Sequence, residues 1–162
     1  MTKPQPTQPT EEDYRLFFGR DHEYYYHKLE RYRSGKKISF NLAAFFFGIN
    51  WMLYRKLYRQ TLLLVVLYTS LLLLHPLAVS YLGLDEVGSA NLQLAYQFCI
   101  VVLIGFFGNY MYLRHALRKV YKIVNTSENE DEEIARLTGS GGTTLLPHII
   151  LAVIVVVLLL GA

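Results

Sequence analysis

The chain has 162 residues, 52% of them apolar and 18% charged, with a formal net charge of +3. The apolar residues are gathered in blocks, so lipid rather than water is the expected solvent for much of the molecule, and a single water-soluble domain is excluded. One cysteine, Cys99, excludes an intramolecular disulfide framework and a zinc ribbon alike.

Residues 1–10 (MTKPQPTQPT) hold three of the five prolines, which marks a disordered or extended tail. Residues 11–37 are charged and aromatic, and Asp21 can cap a helix running through HEYYYHKLERYR to a stop at Ser34-Gly35. Tyr25, Leu29 and Tyr32 then share a face, giving a Tyr-rich basic amphipathic helix. Such a helix suits the lipid headgroup level, the alternative being packing on the protein's own cytoplasmic loops. From Met1 to Lys37 there is no short apolar run of the kind that precedes signal cleavage, so insertion is expected to start at an internal helix.

Within residues 40–58, Phe40 to Tyr54 (FNLAAFFFGINWMLY) is apolar enough to enter a bilayer but is only 15 residues long. Lys36 and Lys37 flank it on one side and Arg55, Lys56 and Arg59 on the other, so a full crossing strands one basic cluster. A re-entrant or interfacial segment bent at Gly48 is expected, packed against the spanning helices; a long tilted span is the competing reading. Three stretches reach spanning length, at 61–84, 92–113 and 143–162. Twenty to twenty-four residues cover roughly 30 to 36 Å as helix, against a hydrocarbon core of ~30 Å. Pro76 and Pro147 are expected to kink their helices, or to mark an early start in the case of Pro147. Gly105 and Gly108, with Asn109, form a small-residue patch on which 40–54 or another helix can dock. Tyr54, Tyr58, Tyr110, Tyr112 and Tyr121 fit an interfacial belt. Residues 125–142 are an acidic, glycine-rich loop with a short helix over Glu132 to Leu137 as its only regular element; its acids face solvent or attract the N-terminal arginines or a basic partner.

All 16 Lys and Arg residues lie before the first span or between the second and third. The positive-inside rule therefore puts the N-terminus in the cytoplasm, the 85–91 loop and the C-terminus outside, and the chain in the cytoplasmic (inner) membrane. Anionic lipids at the cytoplasmic face are the expected surface partner, with His22 to Arg33 and the Arg55-Lys56-Arg59 group as anchors.

Two histidines, His75 and His148, lie well inside spanning segments, where an ionisable group is a functional hypothesis by default. Counted at ~1.5 Å per residue their depths differ by roughly 13 Å, too far for a shared metal, and each is better matched to a hydrogen bond across helices or to a carbonyl freed by Pro76 or Pro147. No phosphate loop, nucleophile elbow or zinc-protease motif occurs, so no catalytic residue, metal or cofactor is assigned.

The runs Tyr24-Tyr25-Tyr26, Ser39-Phe40-Asn41-Leu42-Ala43-Ala44-Phe45-Phe46-Phe47-Gly48 and Trp51-Met52-Leu53-Tyr54-Arg55-Lys56-Leu57-Tyr58 resemble the bacterial membrane family known as domain of unknown function 2628. The resemblance continues at Gly108-Asn109-Tyr110-Met111-Tyr112-Leu113-Arg114-His115 and, weakly, at Gly141-Gly142-Thr143, covering roughly residues 24–145. Where the family's Y-R-K-M-Y carries Met, this chain has Leu57, one apolar side chain for another. The resemblance implies a membrane protein and no particular activity; that the chain is multi-pass follows from its hydrophobic blocks. Asn41, Gly48, Trp51, Tyr54, Arg55, Lys56, His75, Gly105, Gly108, Asn109 and His148 are the residues singled out. The expected role is a non-enzymatic accessory or scaffold subunit, as a homo-oligomer or with a membrane-protein partner, and without nucleic acid. An oligomeric small channel or transporter is the alternative, since three helices are too few to enclose a polar path. An enzyme acting on lipid at the cytoplasmic interface is a third reading, resting on the histidines and tyrosines there.

Overall fold

A computed structural model describes residues 6–160, so half of the expected 1–10 tail and the last two residues of the 143–162 segment lie outside it. The described chain is all-helical. In order it forms α1 (Glu11–Phe18), a 3-10 turn (Gly19–Asp21), α2 (His22–Arg33), α3 (Leu42–Tyr54), α4 (Tyr58–Leu82), α5 (Glu86–Val124), α6 (Glu130–Ser140) and α7 (Leu146–Leu160).

Local chemistry sets most of these limits. A reciprocal pair, Thr10 with Asp13, opens α1, and Gly19 at φ 61° closes it, so the 11–37 block is two helices rather than one. Asn41, Asp85 and Asn129 each accept a backbone N–H of the turn they start, at 2.9, 2.8 and 2.9 Å. α6 is longer than the expected 132–137 helix because four acids, Glu130 to Glu133, sit in its first turn, where the helix dipole favours them. Glu132 pairs with Arg136 one turn on, and among the described residues no ion pair joins this acidic group to an N-terminal arginine. α5 runs 39 residues, past both ends of the expected 92–113 span. No Gly or Pro interrupts it after Gly108, and Leu113, Ala116, Val120 and Ile123 keep one face buried to its end. α4 continues through Pro76, and Pro147 sits in the first turn of α7, where its missing N–H costs nothing.

The buried side chains form one cluster around the second half of α5. Tyr14, Phe17 and Phe18 enter from α1, Tyr25 and Leu29 from α2, Ala44, Trp51 and Met52 from α3, and Leu137 from α6. The Tyr25–Leu29 face of α2, read as suited to headgroups, is thus turned onto α5, a helix rather than the cytoplasmic loops of the alternative: Tyr25 stacks edge-on to Tyr112 at 4.6 Å. By contrast α4 buries only Thr61, and α7 buries no residue. Two helices, α4 and α5, are long and apolar enough to cross a membrane, and the described part of α7 is apolar but shorter.

Candidate functional site

The residues singled out in the sequence fall into two places. His75 stands apart between α4 and α5, where its Nε2 meets Ser89 Oγ at 3.0 Å and its Nδ1 has no partner among the described residues. The other ten gather where α3 crosses α5 and meets α7.

α3 is held to α5 by amides. Gly105 and Gly108 let the backbones approach; a Cβ on Gly108 would lie 2.7 Å from that of Ala44, and one on Gly105 would lie 2.8 Å from the Phe40 ring. Asn41 N–H donates to the Gly105 carbonyl at 2.8 Å, and Asn41 Nδ2 donates to Asn109 Oδ1 at 2.8 Å. Asn109, fully buried, donates in turn to Ser39 Oγ at 3.0 Å. A buried amide so placed is fully satisfied, which fixes both position and rotation of α3. Seven residues on, Gly48 takes φ 48° and ψ −120°, a conformation open to glycine alone, and turns the chain.

That turn delivers Trp51, Tyr54 and Arg55 to the underside of α2. Arg55 was read as a surface anchor, but its side chain is 8% exposed. Its guanidinium lies over the rings of Tyr25, Tyr112 and Tyr54, at 4.6, 5.4 and 5.7 Å from their centroids. Cation–π contact of this kind holds a poorly hydrated charge. Tyr54 and Tyr112 therefore form part of a cage rather than of an interfacial belt. Burial pushes the Tyr25 phenol well above its ordinary range, against the pull of Arg55. Nη2 of Arg55 donates to Asp21 Oδ2 at 2.7 Å, so Asp21 makes no cap for α2 and serves instead as the counter-ion. Nε and Nη1 of Arg55 meet no hydrogen-bond acceptor among the described residues.

Lys56 adopts φ 57°, rare for a side-chain-bearing residue, and this aims it away from Arg55. Its Nζ donates to the carbonyls of Gly139 and Gly141 at 2.9 and 2.6 Å, at the C-terminus of α6 where a cation is favoured. Burial lowers its pKa. Two further bonds, Thr144 N–H to the Tyr54 carbonyl and Gly142 N–H to the Phe17 carbonyl, tie the start of α7 to α3 and α1.

Between α3, the start of α2 and the start of α7 lies a cleft of about 660 Å³. Asp21, Arg55, Asn50 and His148 are among its polar residues, and Leu42, Phe47 and Leu145 among its apolar ones. Its size suits a small ligand. His148 lines it, and its buried Nδ1 has no hydrogen-bond partner among the described residues. Asp21, Tyr25 and Tyr112 were not singled out from sequence as site residues, since nothing in their spacing shows that three separate helices converge on Arg55.

The chain matches the family described as "Protein of unknown function (DUF2628)" over residues 8–118. It belongs to that family. The match takes in Asp21, Asn41, Gly48, Arg55, Lys56, Asn109 and Tyr112, hence the amide clamp and the whole Arg55 cage, while His148 and the rest of α7 lie beyond it. No curated protein and no solved structure matches the chain.

Proposed function

We propose that this family member is a multi-pass protein of the cytoplasmic (inner) membrane, acting as a non-enzymatic accessory or scaffold subunit. The observation that carries this reading is the division of the surface. Every buried apolar side chain belongs to the cluster around the second half of α5, while apolar residues all along α4, the first half of α5 and α7 stand uncovered, as with Leu73 at 74% and Leu159 at 74% exposure. Uncovered surface of that extent needs lipid or a partner helix. In this reading α4, α5 and α7 are three spans, α3 re-enters at the cytoplasmic side, and α1, α2 and α6 form a cap there. The cap's exposed Arg31, Arg33, Lys36 and Lys37 face anionic lipids. A scaffold role draws support from where the polar residues are used: Asn41, Asn109 and Lys56 each join one helix to another.

An oligomeric channel or transporter has an observation of its own. Between α4 and α5, Gln97 donates to Tyr68 Oη at 3.0 Å and His75 meets Ser89, a polar seam inside the apolar stretch. Alkaline carbonate extraction of cell membranes tests the shared premise: the protein should remain in the pellet, and release to the supernatant would overturn both readings. Purification in mild detergent then separates them. A subunit should bring a partner with it, whereas a closed homo-oligomer that passes ions in reconstituted vesicles would favour the channel.

A further inference from the structure

We propose that the cleft beside Arg55 holds the headgroup of a zwitterionic phospholipid bearing a primary ammonium. This rests on the membrane reading above and assigns a ligand class to one site within it.

The cleft is two-faced. Leu42, Phe47 and Leu145 are 63%, 64% and 61% exposed, and they continue the uncovered apolar surface of α3 and α7 into the cleft mouth. An occupant with chains leaving along that wall and a polar end on the floor matches both parts, which is the form of an amphiphile. The floor decides the headgroup. Arg55 and Asp21 cancel as a pair, so a net anion would meet the Asp21 carboxylate, which is 45% exposed, and a lone cation would meet the guanidinium. A headgroup carrying both charges lies antiparallel to the pair and satisfies both.

The free valences are distributed in the same sense. One oxygen of Asp21 accepts from Arg55, and the other, Oδ1, takes no protein hydrogen bond among the described residues; an ammonium N–H can donate to it. The Arg55 guanidinium and the Asn50 amide both line the cleft and can donate to a phosphate oxygen. A trimethylated ammonium brings no N–H and loses the Asp21 bond.

Full-length protein in detergent is titrated with phosphatidylethanolamine, phosphatidylcholine and phosphatidylglycerol of identical chains, and bound lipid is counted by native mass spectrometry. One saturable phosphatidylethanolamine should bind about tenfold more tightly than either of the others, the effect of one charged hydrogen bond. Asp21→Asn should erase the preference. Ala43→Trp, placed from an exposed position on α3 into the cleft, should abolish the bound lipid while leaving the thermal midpoint of the lipid-free protein unchanged. Should Asp21→Asn fail to fold, Ala43→Trp decides alone. Equal retention of the three lipids, or undiminished binding by Ala43→Trp, overturns the proposal. Water-soluble glycerophosphoethanolamine should bind far more weakly than the lipid; equal affinity would reject the lipid in favour of a free headgroup. If the protein resists carbonate extraction yet shows no lipid preference, this site fails and the membrane reading stands.

Discussion

Two glycines only two residues apart should answer the same substitution with opposite signs. A Cβ on Gly141 would run into the Phe17 carbonyl, so Gly141→Ala must push α6 off α1, and a loss of about 1–3 kcal/mol is expected from overpacking alone. Gly139 has open space around it and lies within α6, so Gly139→Ala should stabilise by roughly 0.4–1 kcal/mol through the unfolded chain. Thermal unfolding in detergent compares the two; equal effects would mean that α6 does not dock through Gly141. At Gly48 the space is also open, so close packing is not what a side chain there would violate. Gly48→Ala should still cost about 1–3 kcal/mol, from its φ and ψ alone. Asn109→Leu leaves Asn41 Nδ2 and Ser39 without their partner in a buried place, and about 1–3 kcal/mol for each orphaned group is the expected loss. An Asn109→Leu protein as stable as wild type would show that the amide clamp is not what joins α3 to α5.

Among elements, the docking of α6 on α1 carries a pH dependence. Glu133 is raised from the ordinary glutamate value of 4.5, first by burial and then by the neighbouring Asp13 carboxylate. A raised carboxyl binds its proton more tightly in the folded state, so its contribution is fully present below pH 4.5 and is lost as pH rises through the folded value. Hydrogen exchange of α6 amides should therefore reveal a looser helix at neutral than at mildly acidic pH, after correction for intrinsic rates, and Glu133→Gln should remove the difference. A protected α6 with no pH slope would reject the coupling. The elements also show what was legible beforehand. Small residues at Gly105 and Gly108 next to Asn109 announced a docking patch, and Gly48 a bend, because backbone approach and left-handed φ leave a mark in residue type. The length of α5 was missed: the span was ended at Leu113, where the hydrophobic run stops, although Leu113, Ala116, Val120 and Ile123 continue one buried face at helical spacing. Burial of Arg55 was not readable: its neighbours Lys56 and Arg59 made a surface cluster the simpler account, and the cage comes from Tyr25 and Tyr112, on two other helices. Asp21 misled for a similar reason, since a carboxylate at a helix start is usually a cap.

For the whole molecule, the proposed threading makes one test decisive. Single cysteines at positions 35, 127 and 139, in a Cys99-free background, should label from the cytoplasmic side and one at 89 from outside; labelling of positions 35 and 59 from opposite faces would replace the re-entrant α3 with a span. One further consequence lies in α5 itself. Its 39 residues form an unbroken rod of ~58 Å, nearly twice a hydrocarbon core of ~30 Å, and the cap packs on its far half. The stretch from Leu113 to Val124 reaches ~17 Å further, so a tilt of about 20° swings its tip by roughly 6 Å. Because α1, α2 and α6 pack on that stretch, they would travel with it: if α5 spans as proposed, a thinner bilayer that tilts the rod would shift the cap across the headgroup plane.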